Sequence, residues 1–255
     1  MWLCKVTVFH TLIKMSATTK VSIVLIGEFN PDNFLPKKLA ESGVISKKSA
    51  ESASIIALLP GQTTQVNLGW AELAALKTKL QVSCVEAPYI RICDLVMKAL
   101  SDLSPRSTVS QFGINVEFNY DFGNFADRND FGCRIAPPEA WGAWGQMLRA
   151  SMTGEERGTS LQGGAISVHM RKPFVADEGV TGWLDVMVTR SVEHRTGITI
   201  STNHHHQMLS LDPDVEEERK SLSDEETTSI LLRALSSRFE KSIEEAISIF
   251  EGVIR

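Results

Sequence analysis

The stretch NHHHQ at residues 203–207 sets three imidazoles in a row, a side chain that commonly ligates zinc or iron and titrates near neutral pH. In an extended strand alternate side chains share a face, so His204 and His206 would point one way and His205 the other. Two imidazoles on one face begin a zinc or iron site, which still needs at least one more protein ligand. By sequence the candidates are His169, His194, Asp185 and Glu193. Alternation tests two of them. Ile166, Val168 and Met170 mark the apolar face of their run, so His169 faces away; Leu184, Val186 and Val188 do the same for Asp185. Ile198 and Ile200 share parity with His204 and His206, which puts the pair at the end of a core-facing row. The expectation is of histidines at a sheet margin, bonded to backbone or water, with no metal ligand set and no cofactor.

Other chemistry is thinner. The acidic run DPDVEEER (212–219) lacks the glycine that a calcium-binding loop of the EF-hand type demands, and reads as a solvated loop. The glycines of SLQGGAIS (160–167) and those at 142 and 145 follow neither a Walker nor a dinucleotide pattern, and no nucleophile elbow occurs. Trp141 and Trp144, three apart, are candidate anchors for a protein partner because tryptophan is enriched at interface hot spots. Core packing beneath a sheet competes with that reading, and their place on a short glycine-flanked helix favours it.

The elements that must position these residues follow from period and punctuation. KVSIVLIGEF (20–29) is a strand ended by Asn30-Pro31, with Asn30 as the cap of a short helix stopping at Gly43. Residues 53–59, 64–73 and 78–86 read as three strands, the second on the alternation of Val66, Leu68 and Trp70. Residues 89–103 form an amphipathic helix burying Ile92, Cys93, Val96, Met97, Leu100 and Leu103. A long strand follows over 108–122, then an irregular exposed stretch over RNDFGCR (128–134), then a weak helix over 137–150. Runs at 159–172, 181–193 and 196–209 are strands, the last two a hairpin. Ser223 and Glu226 form a capping box before a helix of about 28 residues, about 42 Å long. Its buried stripe is Leu231, Leu235, Phe239, Ile243, Ala246, Ile247 and Phe250.

The fold class is therefore α+β: predominantly antiparallel sheets with long amphipathic helices packed on one face. The order strand, short helix, three strands, long helix runs twice, and EFNPD (28–32) is matched by EFNYD (117–121). Such a pentapeptide match arises on the order of once by chance in a chain this long, so only the element order bears on two βαβββα pseudo-repeats. Their bounds would be 16–104 and 105–255, with 1–15 an N-terminal extension outside the fold. The order resembles the TATA-binding protein fold, a likeness of topology that implies no function. The stretches VLIGEFNPDNFLP, PYIRICDLV and FGINVEF are also similar to an uncharacterised family of bacterial proteins with no assigned activity.

A net charge of −5 and the lack of a dense Lys/Arg run argue against nucleic acid or anionic lipid as a partner. No apolar stretch approaches the roughly 20 residues of a membrane-spanning helix. Cys4, Cys84, Cys93 and Cys133 form no short-spaced framework, which fits free thiols and a cytoplasmic location. With no complete catalytic constellation, the leading expectation is a non-catalytic binding or scaffolding protein acting with a protein partner. The alternatives are a metal-dependent hydrolase using His204 and His206 and, on topology alone, nucleic-acid binding by a saddle-like sheet.

Overall fold

The computed structural model describes residues 17–153, 165–175, 179–208 and 223–255. The N-terminal extension with Cys4, the beginning of the 159–172 run and the acidic loop at 212–219 lie outside them.

Among the described residues all nine strands belong to one antiparallel sheet rather than to separate sheets. Strand β1 (Ala17–Glu28) leads through a 3-10 turn (Pro31–Phe34) into α1 (Pro36–Glu41) and α2 (Lys47–Ser52). Asn30 caps the turn by accepting from the Asp32 N–H at 3.1 Å, and Gly43 ends α1 with a φ of +73°. Next come β2 (Ser54–Leu59), β3 (Thr63–Asn67), β4 (Glu72–Leu76), β5 (Lys79–Cys84) and α3 (Ile90–Leu103). The second half runs β6 (Thr108–Asp121), α4 (Phe125–Ile135), a 3-10 turn (Pro138–Trp141), α5 (Gly142–Thr153), β7 (Ser167–Val175), β8 (Val180–Arg190), β9 (Gly197–Met208) and α6 (Asp224–Ile254). Across the sheet the order is β2-β3-β4-β5-β1-β6-β9-β8-β7, so the first strands of the two halves pair at its centre.

Two sequence expectations need correction. The single strand over 64–73 is two, β3 and β4. Val66 and Leu68 are both buried, as their alternation suggests, but Gly69 at φ +84° reverses the chain. The Asn67 side chain accepts the Gly69 N–H, and the Leu68 N–H reaches the Ala71 carbonyl. The first half thus has four strands after its helices and the second has three. The stretch 128–134 is not irregular but lies in α4. Asn124 caps that helix through the Asp127 N–H at 2.9 Å, and Arg128 and Phe131 are buried. Arg134, in its last turn, donates to the carbonyls of Arg255, Ile254 and Val253, the orphan acceptors ending α6.

Helices α3 and α6 cover one face of the sheet, α3 against β1 and β5, α6 against β6 and β9, and they touch each other. The covered face presents Val21, Ile23 and Leu25 from β1, Phe112, Ile114 and Phe118 from β6, and Ile198 and Ile200 from β9, all buried. Against them α6 sets Leu231, Leu235, Phe239, Ile243, Ala246 and Phe250, with Ile247 half-buried. The Ser223–Glu226 capping box starts this 31-residue helix, about 46 Å long. None of the described helices is long and apolar enough to cross a membrane. Cys84, Cys93 and Cys133 are free thiols.

Candidate functional site

Strand β9 carries the histidines, and its register is unbroken: Ile114 of β6 and Leu184 of β8 flank His204, Phe112 and Gly182 flank His206. His204 and His206 therefore face the helix layer, and His205 faces the opposite, open side of the sheet. His169 and Asp185 stand on that open side too, away from the pair. His194 precedes β9, near Asp121 and Glu193 at 3.8 and 4.0 Å. Seven strand steps carry the chain from Gly197 to His204, about 23 Å, so neither His194 nor Glu193 reaches the pair.

What meets the pair comes from the long helix. The Nε2 of His204 lies 3.2 Å from a Glu245 carboxylate oxygen, and the other Glu245 oxygen lies 4.0 Å from the Lys172 ammonium. His206 is 1 % exposed, stacks on Phe112 at 4.4 Å with ring planes 13° apart, and meets Phe174 at 5.0 Å. Gly182 makes room for this: a Cβ there would sit 1.8 Å from the His205 carbonyl oxygen and 3.0 Å from the Phe174 ring. Among the described residues neither ring nitrogen of His206, nor Nδ1 of His204, has a hydrogen-bond partner. The rings border a cleft of about 170 Å³ between β7–β9 and α6 that is also lined by Lys172, Arg238, Lys241 and Glu245. Burial, ahead of the Arg238 guanidinium and the adjacent imidazoles, pushes His206 down to about 3. Burial also outweighs the Glu245 carboxylate at His204, whose ring titrates below its usual value. Both imidazoles are neutral at pH 7. Among the described residues no three His, Cys, Asp or Glu side chains are grouped so as to hold a metal ion.

The open side carries a different assembly. Arg171 clamps Asp185 with two hydrogen bonds of 2.6 and 2.7 Å, the Trp183 indole N–H donates to the same carboxylate at 3.1 Å, and His169 stands 3.4 Å away. The Arg171 guanidinium lies 4.5 Å over the Trp183 ring, which stacks on His205 at 4.0 Å. The Arg171 bonds hold the Asp185 carboxyl below the usual carboxylate range. With its oxygens so engaged, Asp185 serves as the hub of a cross-strand lattice.

The tryptophan pair departs from the favoured expectation of core packing. Trp141 and Trp144 are 63 % and 59 % exposed, their rings 5.9 Å apart and edge to face, and Met147 beside them is 71 % exposed. The pair stands out because α5 folds back on the 3-10 turn before it rather than onto the sheet. Gly145 permits that fold, since a Cβ there would sit 1.8 Å from the Pro138 carbonyl oxygen. A second exposed apolar feature is edge strand β2: all six residues of SIIALL are exposed, with Ile55, Ile56, Leu58 and Leu59 about half so. The opposite edge, β7, carries Arg171, Lys172 and Pro173, residues that discourage pairing with another strand. β2 carries neither charge nor proline, and its guard is limited to a register shift against β3 between Ile55 and Ala57.

Strand parity alone missed Glu245, Arg238 and Lys241, because it asks only what other strands supply. A signal was present: 238, 241, 242 and 245 follow the i, i+3, i+4, i+7 steps of one helix face, a polar line beside the apolar stripe. Compared with protein-family models and with curated proteins, the chain finds no match in either.

Proposed function

We propose that the protein is a non-catalytic binding or scaffolding protein acting with a protein partner, and that Trp141, Trp144 and Met147 form its docking ridge. The exposure of the two indoles carries this reading. Each indole offers a large, stiff apolar surface whose burial gives up little conformational freedom. With roughly 250 Å² of indole surface in water between them, covering both would contribute up to about 6 kcal/mol. The exposed apolar edge strand β2 supports the same reading, since a strand from a partner can add to such an edge through main-chain hydrogen bonds.

The test is gentle affinity capture of the full chain, wild type beside Trp141→Ala/Trp144→Ala. Both side chains point into solvent, so the variant should keep wild-type stability within about 0.5 kcal/mol. The expected result is one stoichiometric partner held by the wild type and weakened roughly thirtyfold or more by the variant. A chain that returns alone in every preparation, or a partner indifferent to both substitutions, overturns the proposal.

One observation favours a second reading, the metal-dependent hydrolase on His204 and His206: Glu245 adds a carboxylate beside His204. Against it, Lys172, Arg238 and Lys241 surround the same cleft and repel a divalent cation. Stoichiometric zinc or iron in untagged protein would support the hydrolase; a ratio near zero would sink it.

A further inference from the structure

We infer that the cleft between β7–β9 and α6 is a binding site for a phosphoryl group, built from Arg238, Lys241, Lys172 and the unpartnered imidazole of His206. Among the described residues three cationic side chains and one carboxylate, Glu245, line it, in a chain whose net charge is −5. Such a local inversion of sign favours an anion. Arg238 and Lys241 sit one helical turn apart on α6, beside its buried stripe and lining the cleft. A guanidinium supplies paired N–H donors matched to phosphate oxygens, and an ammonium adds a point charge.

His206 is the observation that points to a ligand. Its ring is essentially inaccessible and borders the cleft, and both its buried ring nitrogens lack a partner among the described residues. A buried donor left unmade is costly, and an oxyanion in the cleft would accept its N–H. His204 is already engaged by Glu245, so the cleft offers one imidazole rather than two. Its volume of about 170 Å³ accommodates a phosphoryl group. Glu245 opposes the anion but lies toward His204 and Lys172.

The experiment uses the full chain at neutral pH with inorganic phosphate as probe, against chloride at matched ionic strength. Phosphate at about 100 times its dissociation constant should raise the melting temperature by roughly 5 °C, saturably. Arg238→Gln and Lys241→Gln should each weaken phosphate about tenfold or more, whereas Arg233→Gln, elsewhere on the helix, should leave it unchanged. His206→Phe, which preserves the stacking on Phe112, should also lose affinity and guards against misfolded charge variants. A methyl phosphate ester that binds more tightly than free phosphate identifies the terminus of a larger ligand; the reverse identifies the free ion. No saturable shift, equal shifts in the Arg238→Gln and Arg233→Gln proteins, or acetate matching phosphate would each overturn the assignment.

Discussion

His206 gives the protein an acid weakness that a single substitution should remove. In the unfolded chain its imidazole titrates near the ordinary value of 6.5, whereas in the fold burial holds it down to about 3. A group whose folded pKa is depressed binds more protons unfolded than folded at any pH between the two values, so stability falls as pH drops through that window. Each pH unit costs about 1.36 kcal/mol, so lowering the pH from 6.5 to 5 should remove about 2 kcal/mol. The groups around the ring do not mask this. Lys172, Arg238, Lys241 and Glu245, which line the cleft beside the ring, are common to both proteins and largely cancel between them. His204, also held low, is present in both proteins and largely cancels in the comparison. His206→Phe keeps an aromatic ring against Phe112 and Phe174 and removes two buried nitrogens without partners, so it should be near neutral at pH 7. Urea denaturation of both proteins at pH 7, 6, 5.5 and 5, in phosphate-free buffer, measures the difference. The wild type should lose about 2 kcal/mol more than the variant by pH 5. Parallel stability profiles for the two proteins would refute the burial argument.

Two further outcomes test the framework. Phe239→Ala removes a fully buried ring from the centre of the α6 stripe and should cost about 3–5 kcal/mol by chemical denaturation. Gly182→Ala drives a methyl into the His205 carbonyl and should both cost about 2 kcal/mol or more and speed amide exchange in β8 and β9, whereas the same substitution at Gly132, a glycine inside α4 with open space around it, should cost nothing and raise stability by up to about 1 kcal/mol.

Period carried most of what was legible beforehand. The apolar stripe of α6, its capping box and the parity of β9 are local patterns, and local patterns survive into the fold because each is a condition for burying one face. The pairing of the two halves into one sheet was not legible, since neighbouring strands there are distant in sequence and nothing in β1 names β6 as its partner. The turn at Gly69 is silent in the sequence because alternation continues up to it, and a single left-handed residue leaves no periodic trace. The exposure of Trp141 and Trp144 was hidden for another reason. Composition says an indole gains by burial, but whether α5 reaches the sheet depends on the chain path after Ile135, which propensity does not specify. The cleft fell between two readings, one period serving the strand and another serving the helix.

The pairing of β1 with β6 along twelve rungs at the middle of the sheet makes the Ser104–Ser107 turn a natural place to divide the gene. Expressed alone, either piece would leave a long central strand with one bare rail of amides and carbonyls, and should precipitate or capture copies of itself. Produced together they have a ready-made seam, and reassembly of a soluble split protein from co-expressed fragments is the behaviour this architecture implies.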